Sequence, residues 1–142
     1  MSAELTAEVE AANAALYEAL ESADVDRMGR VWDETAPDDV VCVHPGWPML
    51  RGRGQVLRSF SAIMANTPYI QFFLTDVRVT VTGDVATVTC TESILTSVSE
   101  EDSSAQVAAT NVFLRRADGW RLLVHHGSPV LGTVEEVDDD GP

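Results

Sequence analysis

The 142-residue sequence contains no lysine. Its nine basic residues are all arginine, against 23 acidic ones, and the formal net charge is −14. A chain this acidic repels phosphate backbones and anionic lipid surfaces, and no basic stripe relieves that repulsion. The imbalance excludes nucleic-acid and membrane-surface binding as the main work and favours solubility. Cysteine is scarce too. Cys42 and Cys90 each sit in an apolar, β-like run without CxxC spacing. That predicts two buried free thiols in a reducing compartment. No apolar run approaches the ~20 residues needed to span a bilayer. The acidic start Met1-Ser2-Ala3-Glu4 lacks the basic-then-apolar pattern of a secretory leader. Together these absences predict a cytoplasmic protein.

The length suits one domain and can bury roughly 70% of the unfolded chain's surface without a disulfide or a metal. Residues 3–22 read as a first helix, with Leu5, Val9, Ala12, Leu16 and Leu20 on one stripe of 3.6-residue period. Ser22 and Asp24 end it and cap a short second helix over 25–33, whose inward residues are Val25, Met28 and Trp32. After a loop at 35–39, Val40 to Val43 forms a short strand. In His44-Pro45-Gly46-Trp47-Pro48 two prolines and a glycine forbid regular structure. Gly52 and Gly54 open a third helix to about Ala65, with Val56, Phe60, Ile63 and Met64 buried, while Arg51 and Arg53 fall on the surface. Strands are predicted over 71–81, 85–97, 105–116 and 120–129, with hairpin turns at Thr82-Gly83-Asp84 and Ala117-Asp118-Gly119 and a polar loop at 99–104.

Helices come first and strands last, which indicates an α+β fold and not βαβ. Three N-terminal helices on the concave side of a curved, mainly antiparallel sheet make a cone with an open end, where a pocket forms. The domain spans residues 1–133, and 134–142 reads as an acidic disordered tail.

Three stretches resemble the nuclear transport factor two-like (SnoaL-like) superfamily. They are Val41-Cys42-Val43-His44-Pro45-Gly46-Trp47-Pro48 with Leu50-Arg51-Gly52, then Asp84 to Glu92, then Gly119-Trp120-Arg121-Leu122-Leu123-Val124-His125-His126-Gly127-Ser128-Pro129. With the first helix, the resemblance spans about residues 8–130. It implies a cone-shaped fold, a pocket between helices and sheet, and a homodimer through the outer sheet face. Ketosteroid isomerases, polyketide cyclases, epoxide hydrolases, dehydratases and non-catalytic association domains all use this fold, so shape is constrained more than reaction. Neither the isomerases' paired acids nor the epoxide hydrolases' Asp-Arg-Asp set has a counterpart at matching positions.

Strand alternation supplies candidate site residues. Ala86, Val88, Cys90, Glu92 and Ile94 share an apolar face, so Glu92 points inward. A desolvated carboxyl there rises toward neutrality, as an acid–base catalyst requires; a solvated or Arg-paired carboxyl at the open end is the competing reading. His125 and His126 point to opposite faces and cannot share one metal. By its place in the resemblance, His126 faces the pocket, against the alternative of a core or interface histidine. His44 and Trp47 stand at the pocket mouth, where Trp47 either covers a flat ligand or plugs the cone. Asn111 interrupts an apolar strand and needs a partner if buried; it is a candidate for orienting a ligand carbonyl. Trp32, Phe60, Met64, Phe72 and Phe113 divide between core and ligand contacts.

The expectation is a pocket for a small apolar molecule. It carries Glu92, His126 and His44 as catalytic groups and Trp32, Trp47, Phe60, Met64, Phe72, Asn111 and Phe113 as contacts, with no metal and no cofactor. Proton-transfer chemistry of the isomerase, dehydratase, cyclase or hydrolase type competes with a non-catalytic binding or dimeric association module.

Overall fold

The computed structural model describes residues 2–131; the acidic segment 134–142 lies outside them. Helix α1 runs over Ala3–Glu21, with the Ser2 side chain accepting from the Leu5 amide at 3.0 Å. Helix α2, Val25–Val31, is capped in the same way by Asp24, which accepts from the Arg27 amide at 3.0 Å. Pro37–Asp39 is a single 3-10 turn inside the expected loop. Strand β1, Val41–Val43, is followed by the two-residue β2, Leu50–Arg51, and helix α3, Arg53–Asn66. Four long strands complete the domain: β3 over Tyr69–Thr82, β4 over Val85–Val98, β5 over Glu101–Arg116 and β6 over Gly119–Pro129. No helix among the described residues is long and apolar enough to cross a membrane.

The six strands form one sheet in the order β2-β1-β6-β5-β4-β3. All neighbours are antiparallel except β1 and β6. The polar segment 99–104, expected as a loop, is mostly strand. Ser99 and Glu100 make a tight turn with φ of 52° and 68°, and β5 starts at Glu101. Two successive residues of positive φ give the reversal that matches strand twist, so pairing runs to the very end of the hairpin.

The three helices pack on one face of this sheet. Val9, Leu16 and Leu20 of α1 are buried there as the stripe predicts. They meet Met28, Val31 and Trp32, then Val56 and Phe60, then Ala86, Val88, Phe113 and Leu122 of the sheet. Cys42 and Cys90 are buried and free.

Arg53, expected on the surface, is drawn in. Its guanidinium donates to the carbonyls of Gly29 at 2.8 Å and Trp32 at 2.7 Å, occupying acceptors that the end of α2 leaves open. Asp33 is buried as well. It accepts from Arg116 at 2.8 and 3.0 Å and from the Ala36 amide at 2.8 Å, and the Arg116 hydrogen bonds hold its carboxyl below the usual range.

Gly127 faces inward on β6. A Cβ there would stand 3.0 Å from Val107 and 3.2 Å from Pro45, so the absent side chain is what lets Pro45 settle on the sheet. Gly127→Val should cost about 1–3 kcal/mol by overpacking, read as a lower midpoint of urea unfolding with an unchanged slope. Phe113→Ala should cost about 3–5 kcal/mol by opening a core cavity in the same measurement. A near-neutral Phe113→Ala would show that this ring is not a core residue.

Candidate active site

A cavity of about 210 Å³ opens between α1, α3 and the inner face of the sheet. Leu16, Phe60, Ile63, Phe72 and Ile94 make most of its apolar wall. Its polar groups are Tyr17, His44, Glu92 and His125.

Glu92 reaches the cavity by the alternation of β4. Ala86, Val88, Cys90 and Glu92 are all buried, and Glu92 is only 3% exposed. Burial pushes its carboxyl up to about 7, although the Tyr17 hydroxyl, donating to Oε2 at 2.7 Å, pulls the other way. Desolvation wins because one hydrogen bond replaces the several that a carboxylate has in water. Tyr17 in turn has its own ionisation pushed up, first by burial and then by the Glu92 charge.

His126 is not in this cavity. It is exposed on the outer face, and its neighbour His125, 6% exposed, is the inward one. The reversal comes from a bulge. Phe113 pairs with Leu122 and Val112 pairs with Val124, which leaves Leu123 of β6 as an extra residue opposite no partner. An extra residue shifts the alternation of everything after it. Leu122 is therefore inside by the first phase, and His125 and Gly127 are inside by the second. The phase that groups Leu122, Val124, His126 and Ser128 does not survive the bulge.

His125 pairs across the strands with Asn111, its Nδ1 lying 2.5 Å from Asn111 Oδ1. Asn111 Nδ2 donates to Asn13 Oδ1 at 2.8 Å and to the Tyr17 hydroxyl at 3.2 Å. A chain of hydrogen bonds thus joins His125 to Glu92 through Asn111 and Tyr17. Asn13 and Tyr17 are four residues apart on α1, one helical turn, so both face the sheet together. The apolar stripe passes over both. The sequence signal for them is the lone Asn111 within an apolar strand, which needs polar partners from whatever packs on it.

His44 follows β1 into the cavity wall. Its Nε2 lies 2.8 Å from Ser59 Oγ, and Ser59 donates its one proton to the Val56 carbonyl at 2.7 Å. Nε2 of His44 is therefore the donor of that pair and carries the hydrogen. The ring stands edge-on to Trp47 and Phe60, each at a centroid distance of 4.8 Å. Burial lowers the affinity of both imidazoles for a proton, to a pKa of about 4 for His44 and about 3 for His125. At neutral pH both are uncharged. No group of three His, Cys, Asp or Glu side chains converges among the described residues.

Of the aromatic and apolar candidates, Trp47, Phe60 and Phe72 line the cavity. Trp32 and Phe113 do not; both are fully buried in the core behind it. Met64 packs against that core from α3, and it is the preceding Ile63 that faces the cavity. Asn111 sits behind the wall, wholly buried, with both amide hydrogens committed to Asn13 and Tyr17. It has no donor left with which to orient a ligand carbonyl.

The SnoaL-like domain family matches residues 9–132. No functionally curated protein matches the sequence. Among solved structures, a Streptomyces avermitilis protein of the NTF2-like family, named as a candidate dehydratase, shares 55% identity over 88% of this chain and 95% of its own, with a TM-score of 0.84. A candidate association domain of calcium/calmodulin-dependent protein kinase type II from Thiobacillus denitrificans shares 30% identity over 86% of this chain and 94% of its own, with a TM-score of 0.72. A candidate aromatic ring hydroxylase from Novosphingobium aromaticivorans shares the fold, with a TM-score of 0.82 at 16% identity over 97% of this chain and 99% of its own. The cone of three helices on a curved sheet, its inward carboxyl and these likenesses agree: the chain belongs to the SnoaL-like family of the nuclear transport factor 2-like superfamily.

Proposed function

We propose that the cavity binds a small, mainly apolar molecule and catalyses a proton transfer on it without a cofactor, dehydration being the favoured form. The observation that carries this reading is the Glu92 carboxyl, buried in the cavity wall and pushed up to about 7. A group with that pKa gives and takes protons with comparable ease near neutral pH, which is the condition for efficient acid–base catalysis. Elimination of water requires one proton to leave carbon and one to reach the departing hydroxyl, and such a carboxyl serves either step. The 55%-identical Streptomyces protein, a candidate dehydratase, supports this choice among isomerase, dehydratase, cyclase and hydrolase types. His44 stands across the cavity as a neutral, oriented imidazole.

An association module is the second reading, favoured by the 30%-identical Thiobacillus protein and by the outer sheet face. The cross-strand rows Thr75–Thr91–Ala108–Ser128 and Arg78–Thr89–Thr110–His126 lie on that face, and the first is made only of small uncharged side chains. In a chain of net charge −14, a face whose charged side chains include Arg78 and Asp76, hydrogen-bonded to each other at 3.3 Å, and which otherwise presents mainly small uncharged residues suits self-pairing. The two readings are compatible: two copies can join through the outer faces while each keeps its inner cavity.

Glu92→Gln should lower kcat/KM for a substrate found by screening by about 10²–10⁴-fold, whereas His126→Ala should leave it unchanged. Equal rates for Glu92→Gln and wild type would overturn the assignment. Glu92 also has a signature in stability. Between its ordinary value of 4.5 and about 7 the folded state keeps a proton that the unfolded state releases, so this group makes wild-type stability fall as pH rises through that window. The stability advantage of Glu92→Gln over wild type should therefore grow from pH 4.5 to pH 7 and then level off. His44 and His125, held neutral by burial, give the opposite slope below their ordinary 6.5 in both proteins and cancel in the comparison. Light scattering after gel filtration tests the pairing: a dimer is expected, and Thr110→Arg should yield monomers.

A further inference from the structure

The hydrogen bonds around the cavity have only one consistent direction once Glu92 is ionised. A carboxylate only accepts, so the single proton of Tyr17 is committed to Glu92. Tyr17 can then only accept from Asn111, which places the Asn111 amide nitrogen on the Tyr17 and Asn13 side and its carbonyl oxygen on the His125 side. A carbonyl oxygen only accepts, so His125 Nδ1 carries the ring hydrogen, and Nε2 of the neutral ring is bare. His125 lines the cavity. Its Nε2 has no hydrogen-bond partner among the described residues, yet it is not one of their sealed-off polar atoms, which are the indole nitrogens of Trp32 and Trp120. Glu92 Oε1 is in the same position. Both open on the cavity.

The donors nearby are already engaged. Tyr17 gives its proton to Glu92, Asn111 gives both of its own to Asn13 and Tyr17, and His44 Nε2–H goes to Ser59. The indole N–H of Trp47 is left, on a residue that is 42% exposed. With Glu92 ionised, the interior of the cavity thus offers acceptors to a guest and no free donor. Its volume of about 210 Å³ lies above the ~150 Å³ that takes up a benzene molecule and below the ~300 Å³ where drug-sized sites begin.

We propose that Asn111 is a positioning residue that locks His125 as its Nδ1–H tautomer, so that the bare Nε2 is a fixed hydrogen-bond acceptor. The guest of the cavity is then an uncharged hydroxy compound of about one ring, bound by donating its hydroxyl to that nitrogen. The inference rests on the cavity being a ligand site, as argued above. A bare ketone or ether fits the space but sets an acceptor against acceptors, which in a buried site costs as much as an unmade hydrogen bond. His125 Nε2 only holds the hydroxyl in place while Glu92 exchanges the protons, and Asn111 acts through the orientation and tautomer of His125.

The test uses the full chain, labelled with nitrogen-15, at pH 8.5, with His125→Gln to assign the ring signals. Long-range proton–nitrogen spectra should show Nδ1 as the protonated nitrogen of His125 and Nε2 as the bare one. Asn111→Leu should blur that distinction, whereas a merely structural role would leave it. Cyclohexanol and cyclohexanone, alike in ring and size, then serve as probes. Cyclohexanol should shift the Nε2 signal and bind about tenfold or more tightly than cyclohexanone. A proton on Nε2 in the wild type overturns the inference even if Asn111→Leu does not fold. Equal or reversed preference between the probes overturns it too, and leaves the cavity standing as a ligand site. If neither probe reaches the cavity signals, the ligand-site reading fails and takes this inference with it.

Discussion

A carboxyl under a helix must either find a donor or stay protonated, and the inner face of this sheet is organised around that requirement at Glu92. Tyr17 supplies the donor from α1, and its oxygen then has to accept from Asn111. Asn111 passes the demand to His125 on the next strand and to Asn13 one helical turn away. Apolar burial alone would let α1 slide or rotate by a few degrees at little cost, since contacts between hydrocarbon side chains have no direction. Three directional hydrogen bonds made by two residues of α1 remove that freedom. The buried acid therefore has a structural consequence before it has a chemical one, because it sets the seat of the helix that roofs the cavity.

The small side chains of the sheet belong to the same arrangement. Cys90 on β4, Ala109 on β5 and Gly127 on β6 form one cross-strand row on the inner face. Cys90 lets the Tyr17 hydroxyl come within 3.9 Å of its sulfur, and Gly127 leaves room for the Pro45 ring. Pro45 carries with it the loop that holds His44 and Trp47 at the cavity. Larger residues in this row would lift the helix at one end and the loop at the other. The row lies between that of Asn111 and His125 and that of Glu92, so it keeps the two ends of the hydrogen-bond chain apart and open to the cavity.

Much of this was legible in the sequence where one periodicity runs unbroken. The alternation of β4 puts Glu92 inside by counting from Ala86, because no residue interrupts the ladder between them. The order of elements and the curved sheet follow from three helical stripes and four long alternating runs. Alternation misleads where a single extra residue resets the count. In Leu122-Leu123-Val124-His125-His126 nothing marks Leu123 as unpaired, since leucine suits either face, and the choice between two adjacent histidines hangs on it. The bulge is decided by the partner strand. Asn111 inside β5 needs a polar neighbour, and only the shifted phase delivers one. Asn13 and Tyr17 escaped for a related reason. A helix read for its apolar stripe hides polar residues beside that stripe, and they become visible only when the facing strand shows what it lacks. Arg53 turns inward because its partners are backbone carbonyls at the end of α2, which no side-chain pattern announces.

Burial moves Glu92 and the two imidazoles of the cavity in opposite senses for the same reason. Removing water disfavours whichever form is charged, so the acid holds its proton up to about 7 and the two imidazoles refuse theirs down to about 4 and about 3. Near neutrality the site carries at most one charge, and that charge is negative. A guest with a carboxylate or a phosphate would bring a second negative charge into a wall that holds no arginine, within a protein already at −14. Coulomb repulsion in a poorly screened hollow is strong enough to exclude it. In the proposed reaction, the environment that suits Glu92 to acid–base work is also the one that favours uncharged guests, so that reactivity and selectivity would share one physical origin.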